Sequence, residues 1–443
     1  GALSAWKPLR EPDLFWHLAL GRAVWRARSR TVVEPLAHLD LGRTREVPEW
    51  LWDVAQWGLW NVGGALATTL ALSALGALIG ALLWRVLRAH DRAKPLAPAV
   101  LCAALALTGV LSRVRERPET LVCALLLASL ALLGRLGEPG ARRGAISAAL
   151  VAIGLLWAQV HSTSPLLLAV VGLALAPDLR AMIVRKRVDG VSLALLGGVA
   201  LAPLSGAHGV GVLAALRAHA AGDAVLHVAD MHPPVWATFN PAENVMGPAW
   251  FALLALGLGG MARAGVCWPR RVGYALLGAA MAATAVRGLA FATVLALPLA
   301  RAGAEVLWTT YATRRPRLAL TLVGACAALV SVRGAMIFAQ RQGPVGVIGV
   351  REFAQPFGTL GVLRALPRGS HVYAPPDIAA SLGYALDGHA RTFVDTRTPM
   401  HFDDAQYAVA RDIARAWSPG AALERYDTRA VVMACESPLC TAL

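Results

Sequence analysis

The chain has 443 residues, 57% of them hydrophobic and only 16% charged, with a formal net charge of +15. An ordinary soluble domain carries about 25% charged residues; here the apolar excess falls in blocks of Leu, Ala, Val and Gly, which argues against a soluble enzyme and for a multi-span membrane protein. No recognition motif accompanies the positive charge, so nucleic acid is not an expected partner.

The chain opens at Gly1 with neither a signal peptide nor a preceding span and stops abruptly at "PLCTAL". We read this as a sequence lacking its first span and some C-terminal residues. Residues 1–61 form the first segment. "EPDLFWHLALGRAVW" and "EWLWDVAQWGLWNV" read as amphipathic helices, the second with Trp50, Trp57 and Trp60 at near-helical spacing, as in a helix lying at the headgroup level. Residues 62–339 follow as a transmembrane bundle. "VGGALATTLALSALGALIGALLW" (62–84) runs 23 residues without a charge, enough to cross about 30 Å of hydrocarbon. Further apolar runs at 96–112, 119–134, 145–160, 165–176, 190–206, 246–262, 272–286, 288–300 and 318–338 bring the expected spans to about ten. The runs at 165–176 and 288–300 fall short of the roughly 20 residues of a straight crossing, which leaves a re-entrant alternative open for each.

Charge sets the expected orientation. With 1–60 outward, the inward loops 85–95, 135–144, 177–189, 263–271 and 301–317 hold eighteen Lys and Arg, three or four apiece. The positive-inside rule explains them without a ligand, and it favours counting both short runs as crossings. The last segment, 340–443, alternates strand "HVYA", helix "PDIAASLGYAL", strand "ARTFVD", helix "DDAQYAVARDIARAW" and strand "RAVVMAC". This is the pattern of a small α/β domain, expected on the extracytoplasmic side. Cys435 and Cys440 form a disulfide only if that side is oxidising; Cys102, Cys123 and Cys326 sit in apolar runs as core residues, and no CxxC pair suggests zinc.

The outward span ends collect one unusual polar set: Glu11, Asp13 and His17; Glu49 and Asp53; Arg113, Arg115 and Arg117; His161; Asp230 and His232; Asn240 and Glu243; and Arg287. Charges at membrane depth that persist face a cavity or a partner. Paired carboxylates suit general-base catalysis or metal coordination, and arginines grip phosphate through bidentate forks. Plainer readings stand beside these. Asp13 would also serve as a helix N-cap, and Glu49 as a first-turn carboxylate at a helix dipole. Arg113–Arg117 would contact lipid phosphate or fix a helix end, His161 would be a hydrogen-bonded interfacial histidine, and "HPP" at His232 a turn. The tryptophans read as interfacial anchors rather than a sugar-stacking platform.

The order "EPDLFWHLALGR", "PEWLWDVAQWGLW", "RERPET", "WAQVHSTSPLLL", "HPPVW", "AVRGLAF" and "RTFVDTR" resembles a bacterial group near the dolichyl-phosphate-mannose:protein mannosyltransferase-like enzymes of the GT-C superfamily. The similarity runs along nearly the whole chain. It implies that "EPD" stands for the family's acidic pair, with Asp13 as general base, alone or with a divalent metal, and Glu11 and His17 beside it. It further implies that Arg117 and Arg287 grip the phosphate of a polyprenyl-phosphate sugar donor; Arg113, His161, Glu49 and His232 of the polar set are the further candidate substrate-binding residues. The family's "DGR"-like strand end reads "DTR" here, with Asp395 and Arg397, so the glycine of the turn is lost. The histidine motif likewise reads "HSTSP" without the usual glycine.

The expected activity is transfer of a sugar from a polyprenyl-phosphate carrier in the cell inner membrane to an outward-facing glycan, lipid or protein. Two other classes stand beside it: a transporter or flippase of a lipid-linked saccharide, and a non-catalytic membrane protein with an outer binding domain. A transporter favours midplane charges and internal repeats, whereas here the polar groups cluster at outer span ends and the halves show no hydropathy repeat.

Overall fold

The computed structural model describes residues 9, 11–40, 42–88, 95–111, 113–186, 188–211, 246–312, 315–342, 356–397, 404–415, 419–433, 437 and 439–440. All ten apolar runs are helical in it. After α1 (Leu14–Ala27) and a two-stranded antiparallel hairpin, β1 (Thr31–Val33) with β2 (Thr44–Glu46), come α2 (Trp50–Arg88), α3 (Leu96–Leu111), α4 (Pro118–Leu136), α5 (Arg143–Val160), α6 (Pro165–Arg185) and α7 (Gly190–Leu201). Beyond residue 245 follow α8 (Met246–Ala264), α9 (Pro269–Thr284), α10 (Gly288–Leu307) and α11 (Pro316–Gln342). Among the described residues, five helices are long and apolar enough to cross a membrane: α2, α4, α5, α6, and α10 with the π-turn that extends it to Ala312. The protein is a mainly helical, multi-pass membrane protein.

Two of the expected elements differ from what the sequence suggests. The short run at 165–176 continues to Arg185 through Pro177, and that at 288–300 continues to Leu307 through Pro298, so neither is a short segment. A proline removes one backbone hydrogen bond without ending a helix that neighbours support. Conversely, the tryptophan-rich amphipathic stretch and the first apolar run are one helix broken at Gly63 and Gly64, where Gly64 takes φ 53°, ψ −134°. Only glycine adopts that conformation readily, and it lets α2 turn from an arm lying against α1 into a span. The tryptophans of the arm are half-buried rather than simple anchors: Trp60 meets Phe15 edge-on at 5.6 Å, Trp57 lies 5.8 Å from Trp25, and the Trp50 indole donates to Gln159 at 2.9 Å.

α10 is the axis of the bundle. Of its apolar window 83% is buried, against 22% for α6 at the periphery. Small residues let its neighbours approach: a Cβ on Gly260 of α8 would lie 2.2 Å from the Gly303 Cα of α10, closer than any side chain permits. At the end opposite the first segment, Arg301 of α10 donates to the Leu87 carbonyl of α2 at 3.1 Å and pairs with Glu305 at 2.8 Å. That basic residue satisfies a carbonyl at the C-terminal end of α2. Arg92, Lys94, Arg187 and Arg314 of the same loops lie outside the described residues.

The last part of the chain carries a three-stranded parallel sheet in the order β4–β3–β5, from β3 (Ser370–Tyr373), β4 (Ala390–Thr392) and β5 (Thr428–Val431). Between the strands lie α13 (Pro376–Leu386) and then α14 (Asp404–Ala414) and α15 (Pro419–Arg425); the short α12 (Leu360–Arg364) precedes β3. The expected pairing of Cys435 with Cys440 falls outside the described residues.

The sheet is joined to the first segment. Ala37 bridges Thr392, and Thr392 donates its N–H to the Leu36 carbonyl at 3.3 Å. Just beyond β4, Arg397 forks onto Glu34 at 2.9 and 2.7 Å and onto Asp395 at 2.8 and 2.7 Å, all three fully enclosed. Burial alone would raise the Glu34 carboxyl; the Arg397 charge and the Leu36 and Ala37 amides overcome it and hold it at about 2, below the usual 4.5. A depressed carboxyl stabilises the fold above its unfolded value and stops doing so as pH falls through the folded one, here a window from 4.5 down to about 2. The difference corresponds to about 3 kcal/mol. Glu34→Gln is therefore expected to lower the thermal midpoint in detergent at neutral pH by several degrees and to flatten the acid limb within that window, checked by melting curves across pH.

Candidate functional site

The loop between α3 and α4 is built to present arginines. Pro118, at the first position of α4, removes a donor the helix start does not need and keeps Arg117 extended at φ −123°, ψ 149°. The Thr120 hydroxyl ties the loop down: it donates to the Arg113 and Arg115 carbonyls at 3.1 and 2.9 Å and accepts the Arg115 N–H at 3.1 Å. Arg117 then reaches the acidic pair of the first segment. Its Nε donates to Glu11 at 2.7 Å, its Nη2 also meets Glu11, and the same Nη2 lies 2.9 Å from Asp13 Oδ2. Arg115 adds a longer contact to Glu11 at 3.4 Å.

Asp13 stands at the N-cap position of α1 without acting as a cap. It precedes α1 in helical geometry and makes no capping bond; instead its Oδ1 accepts from the Thr396 hydroxyl at 2.5 Å. The two acids are driven apart. Burial pushes both up, but Arg117, Arg115 and Arg113 overcome it at Glu11 and hold that carboxyl below its usual value. At Asp13, burial and the neighbouring Glu11 charge outweigh Arg117 and Thr396, and the carboxyl sits above its usual value. Two similar acids thereby differ in proton affinity, Glu11 releasing its proton more readily than an ordinary carboxyl and Asp13 less readily.

Around this pair stand the other residues singled out in the sequence. His161 ends α5, donates its backbone N–H to the Trp157 carbonyl at 2.9 Å, and turns its ring between Thr163 at 2.8 Å and Glu49 at 3.5 Å. Pro165 opens α6 just beyond, which fixes the "HSTSP" corner without a glycine. Glu49 is more than a dipole carboxylate: Glu119, Asp13, Arg287 and Arg117 all act on it. Arg287 caps α10 in "AVRGLAF"; a Cβ on the following Gly288 would lie 2.2 Å from the Met281 carbonyl, so the glycine lets α9 and α10 close beneath the arginine. Arg287, Arg117 and Arg113 all act on Glu119, the first-turn acid of α4. His17 is buried in α1 and bonded through Nδ1 to Asp53 at 2.5 Å.

The structure thus gathers Glu11, Asp13, His17, Glu49, Arg113, Arg117, His161 and Arg287 at one end of the bundle. His232, with Asp230, Asn240 and Glu243, lies outside the described residues. Three participants went unnoticed in the sequence. Thr396 stands where the family pattern has glycine. Glu119 was visible inside "RERPET" but not separable from an ordinary first-turn acid. Glu34, in a polar loop, carried no signal. The lost glycine of "DTR" is replaced chemically: the Asp395 side chain accepts the Arg397 N–H at 3.0 Å and makes the turn itself.

No protein-family model matches the sequence, and no curated protein matches it. Solved structures do. The chain is similar to the oligosaccharyltransferase of Archaeoglobus fulgidus in its apo form, with a TM-score of 0.63 at 13% identity over 97% of this chain and 67% of that one. It is similar to ArnT from Cupriavidus metallidurans bound to undecaprenyl phosphate, with a TM-score of 0.52 at 12% identity over 97% of this chain and 88% of that one. Against ArnT in the apo state the TM-score is 0.51, at 12% identity over 96% and 85%. At such identities the likeness is one of fold, and the fold is GT-C-like.

Arg117 is the cation that Glu11 and Asp13 share. Arg117→Ala is expected to cost stability at the lower end of the about 3–5 kcal/mol that follows breaking a buried pair, since its side chain keeps 18% exposure. Arg117→Lys restores only part, because one ammonium cannot fork across two carboxylates. Thermal midpoints of the three proteins in one detergent check the order.

Proposed function

We propose that this protein is an inverting glycosyltransferase that moves a sugar from a polyprenyl-phosphate carrier to an acceptor at the extracytoplasmic face of the membrane. The observation that carries this reading is the split acidic pair: Glu11 held ionised by arginines, and Asp13, beside it, raised in proton affinity and aimed into the same cluster. The GT-C-like fold supports it, as does the ArnT structure that holds undecaprenyl phosphate. The gathering of polar groups at one end of the helices favours transfer at a surface over passage through the bilayer.

The chemistry follows from those groups. Asp13 takes the proton of the acceptor hydroxyl as its oxygen attacks the anomeric carbon. The bond from that carbon to the phosphate oxygen breaks with inversion, and its electron pair leaves on the lipid phosphate. Negative charge then grows on that phosphate, and Arg113, Arg117 and Arg287 are the cations at hand to stabilise it. Glu11 stays ionised to orient Arg117. The basic loops at the opposite helix ends support an outward-facing site.

General-base catalysis contributes about 10²–10⁴ in rate. Asp13→Asn, purified and assayed with a polyprenyl-phosphate sugar, is therefore expected to lose at least a hundredfold in transfer while its melting midpoint stays near wild type. A base must be deprotonated, so wild-type kcat/KM should fall as pH drops, with a midpoint above the usual aspartate value of 3.8. Turnover in Asp13→Asn equal to wild type would remove the carboxylate from the mechanism.

A further inference from the structure

His17, Glu49 and Asp53 lie beside the Arg117 pair and take no part in the chemistry above. Glu49 and Asp53 are one turn apart, with the Asp53 N–H on the Glu49 carbonyl at 3.0 Å, so both carboxylates share one face at the start of α2. His17 meets that face from α1. Close approach of the two helices depends on Gly21, one turn beyond His17, whose Cβ would lie 2.1 Å from the Asp53 carbonyl oxygen. One ligand atom from each of the three side chains lies within 4.8 Å of the other two. Asp53 is fully enclosed, and among the described residues its Oδ2 has no hydrogen-bond partner.

An enclosed carboxylate oxygen without a donor is costly, and a second carboxylate one turn away makes it more so. Around the set, Arg287 and Arg117 act on Glu49 together with Glu119 and Asp13; Arg397 acts on Asp53; Glu119, Arg117 and His161 act on His17. Among the described residues the ion-pair contact of Asp53 is His17 and that of Glu49 is His161 at 3.5 Å, so neither carboxylate is paired with a guanidinium. One imidazole and two carboxylates are a donor set for Zn²⁺ or Mn²⁺, whereas Mg²⁺ and Ca²⁺ prefer oxygen alone.

We propose that His17, Glu49 and Asp53 bind one divalent transition-metal ion of the Zn²⁺ or Mn²⁺ class, which clasps α1 to the amphipathic arm of α2. This site is separate from Glu11 and Asp13, which Arg117 already occupies. Three protein ligands leave a further position for water. By holding α1 against α2, the ion also fixes the helix from whose start Asp13 projects.

The test uses the purified full chain in detergent, stripped with chelator and titrated with Zn²⁺ and, separately, Mn²⁺. One ion per chain is expected by metal analysis, with a rise in melting midpoint on adding it. Asp53→Asn and Glu49→Gln should each weaken binding tenfold or more and abolish that rise, while Asp427→Asn, at the exposed ion pair with Arg429, leaves both unchanged. If Asp53→Asn does not fold, Glu49→Gln, at the less buried rim of the set, gives the same readout. Less than a tenth of an equivalent bound to wild type, or wild-type affinity in Glu49→Gln, overturns the site. Binding is measured without donor or acceptor, so a failed metal site and a failed transferase reading give different results.

Discussion

Two carboxylates in the sequence "EPD" share one guanidinium, and the rest of the site depends on that sharing. Arg117 is charged at any accessible pH and presents its donors as a rigid fork. It can therefore satisfy Glu11 fully and Asp13 in part, and the unequal division makes chemically distinct groups of two similar acids. The division survives only if the fork cannot drift. Pro118 stops the backbone from joining α3 to α4, Thr120 pins the loop carbonyls, and the apolar helices hold that loop over α1. The bundle supplies rigidity to a contact between residues about a hundred positions apart.

Burying so many charges in a membrane protein needs a reason. Glu11, Asp13, His17, Asp53, Arg113 and Glu116 are all buried at the same end of the helices. Each alone would cost several kcal/mol. As a network they offset one another, but a network of apolar residues would do so more cheaply if stability were the only requirement. What a fixed array of charges offers over an apolar core is a field already oriented where charge develops during a reaction, with little rearrangement needed. The position also suits a ligand with one end in lipid and one in water.

The parts of this arrangement legible in the sequence are those with a local signature. Ten apolar runs stand out because so many long stretches with at most one charge are rare in any other setting, and each is helical. Arg287 stood out because it interrupts apolar sequence on both sides. Where helices end is less legible: Pro177 and Pro298 look like terminators, yet tertiary neighbours carry both helices onward, and Gly63–Gly64 looks like helix interior yet bends it. Least legible are partners brought together from afar. Glu34 meets Arg397 across 363 positions, and Gly21 matters only because α2 lies against it. No window along the chain contains both members of such a pair.

"DTR" shows how a departure from a family pattern gains meaning only in three dimensions. As sequence, the lost glycine weakens the expectation of a tight turn. In the fold, Asp395 makes the turn with its own carboxylate, and Arg397 locks both that carboxylate and Glu34. The residue between them is then held with almost no freedom, and its hydroxyl meets Asp13. A glycine there would remove one donor from Asp13 and leave that carboxylate oxygen to be satisfied by water or substrate. The threonine adds a donor that favours the ionised carboxylate against the burial that disfavours it. The parallel sheet is therefore not an appendage to the helical bundle: through one hydroxyl it helps set the proton affinity of the residue on which the chemistry would turn.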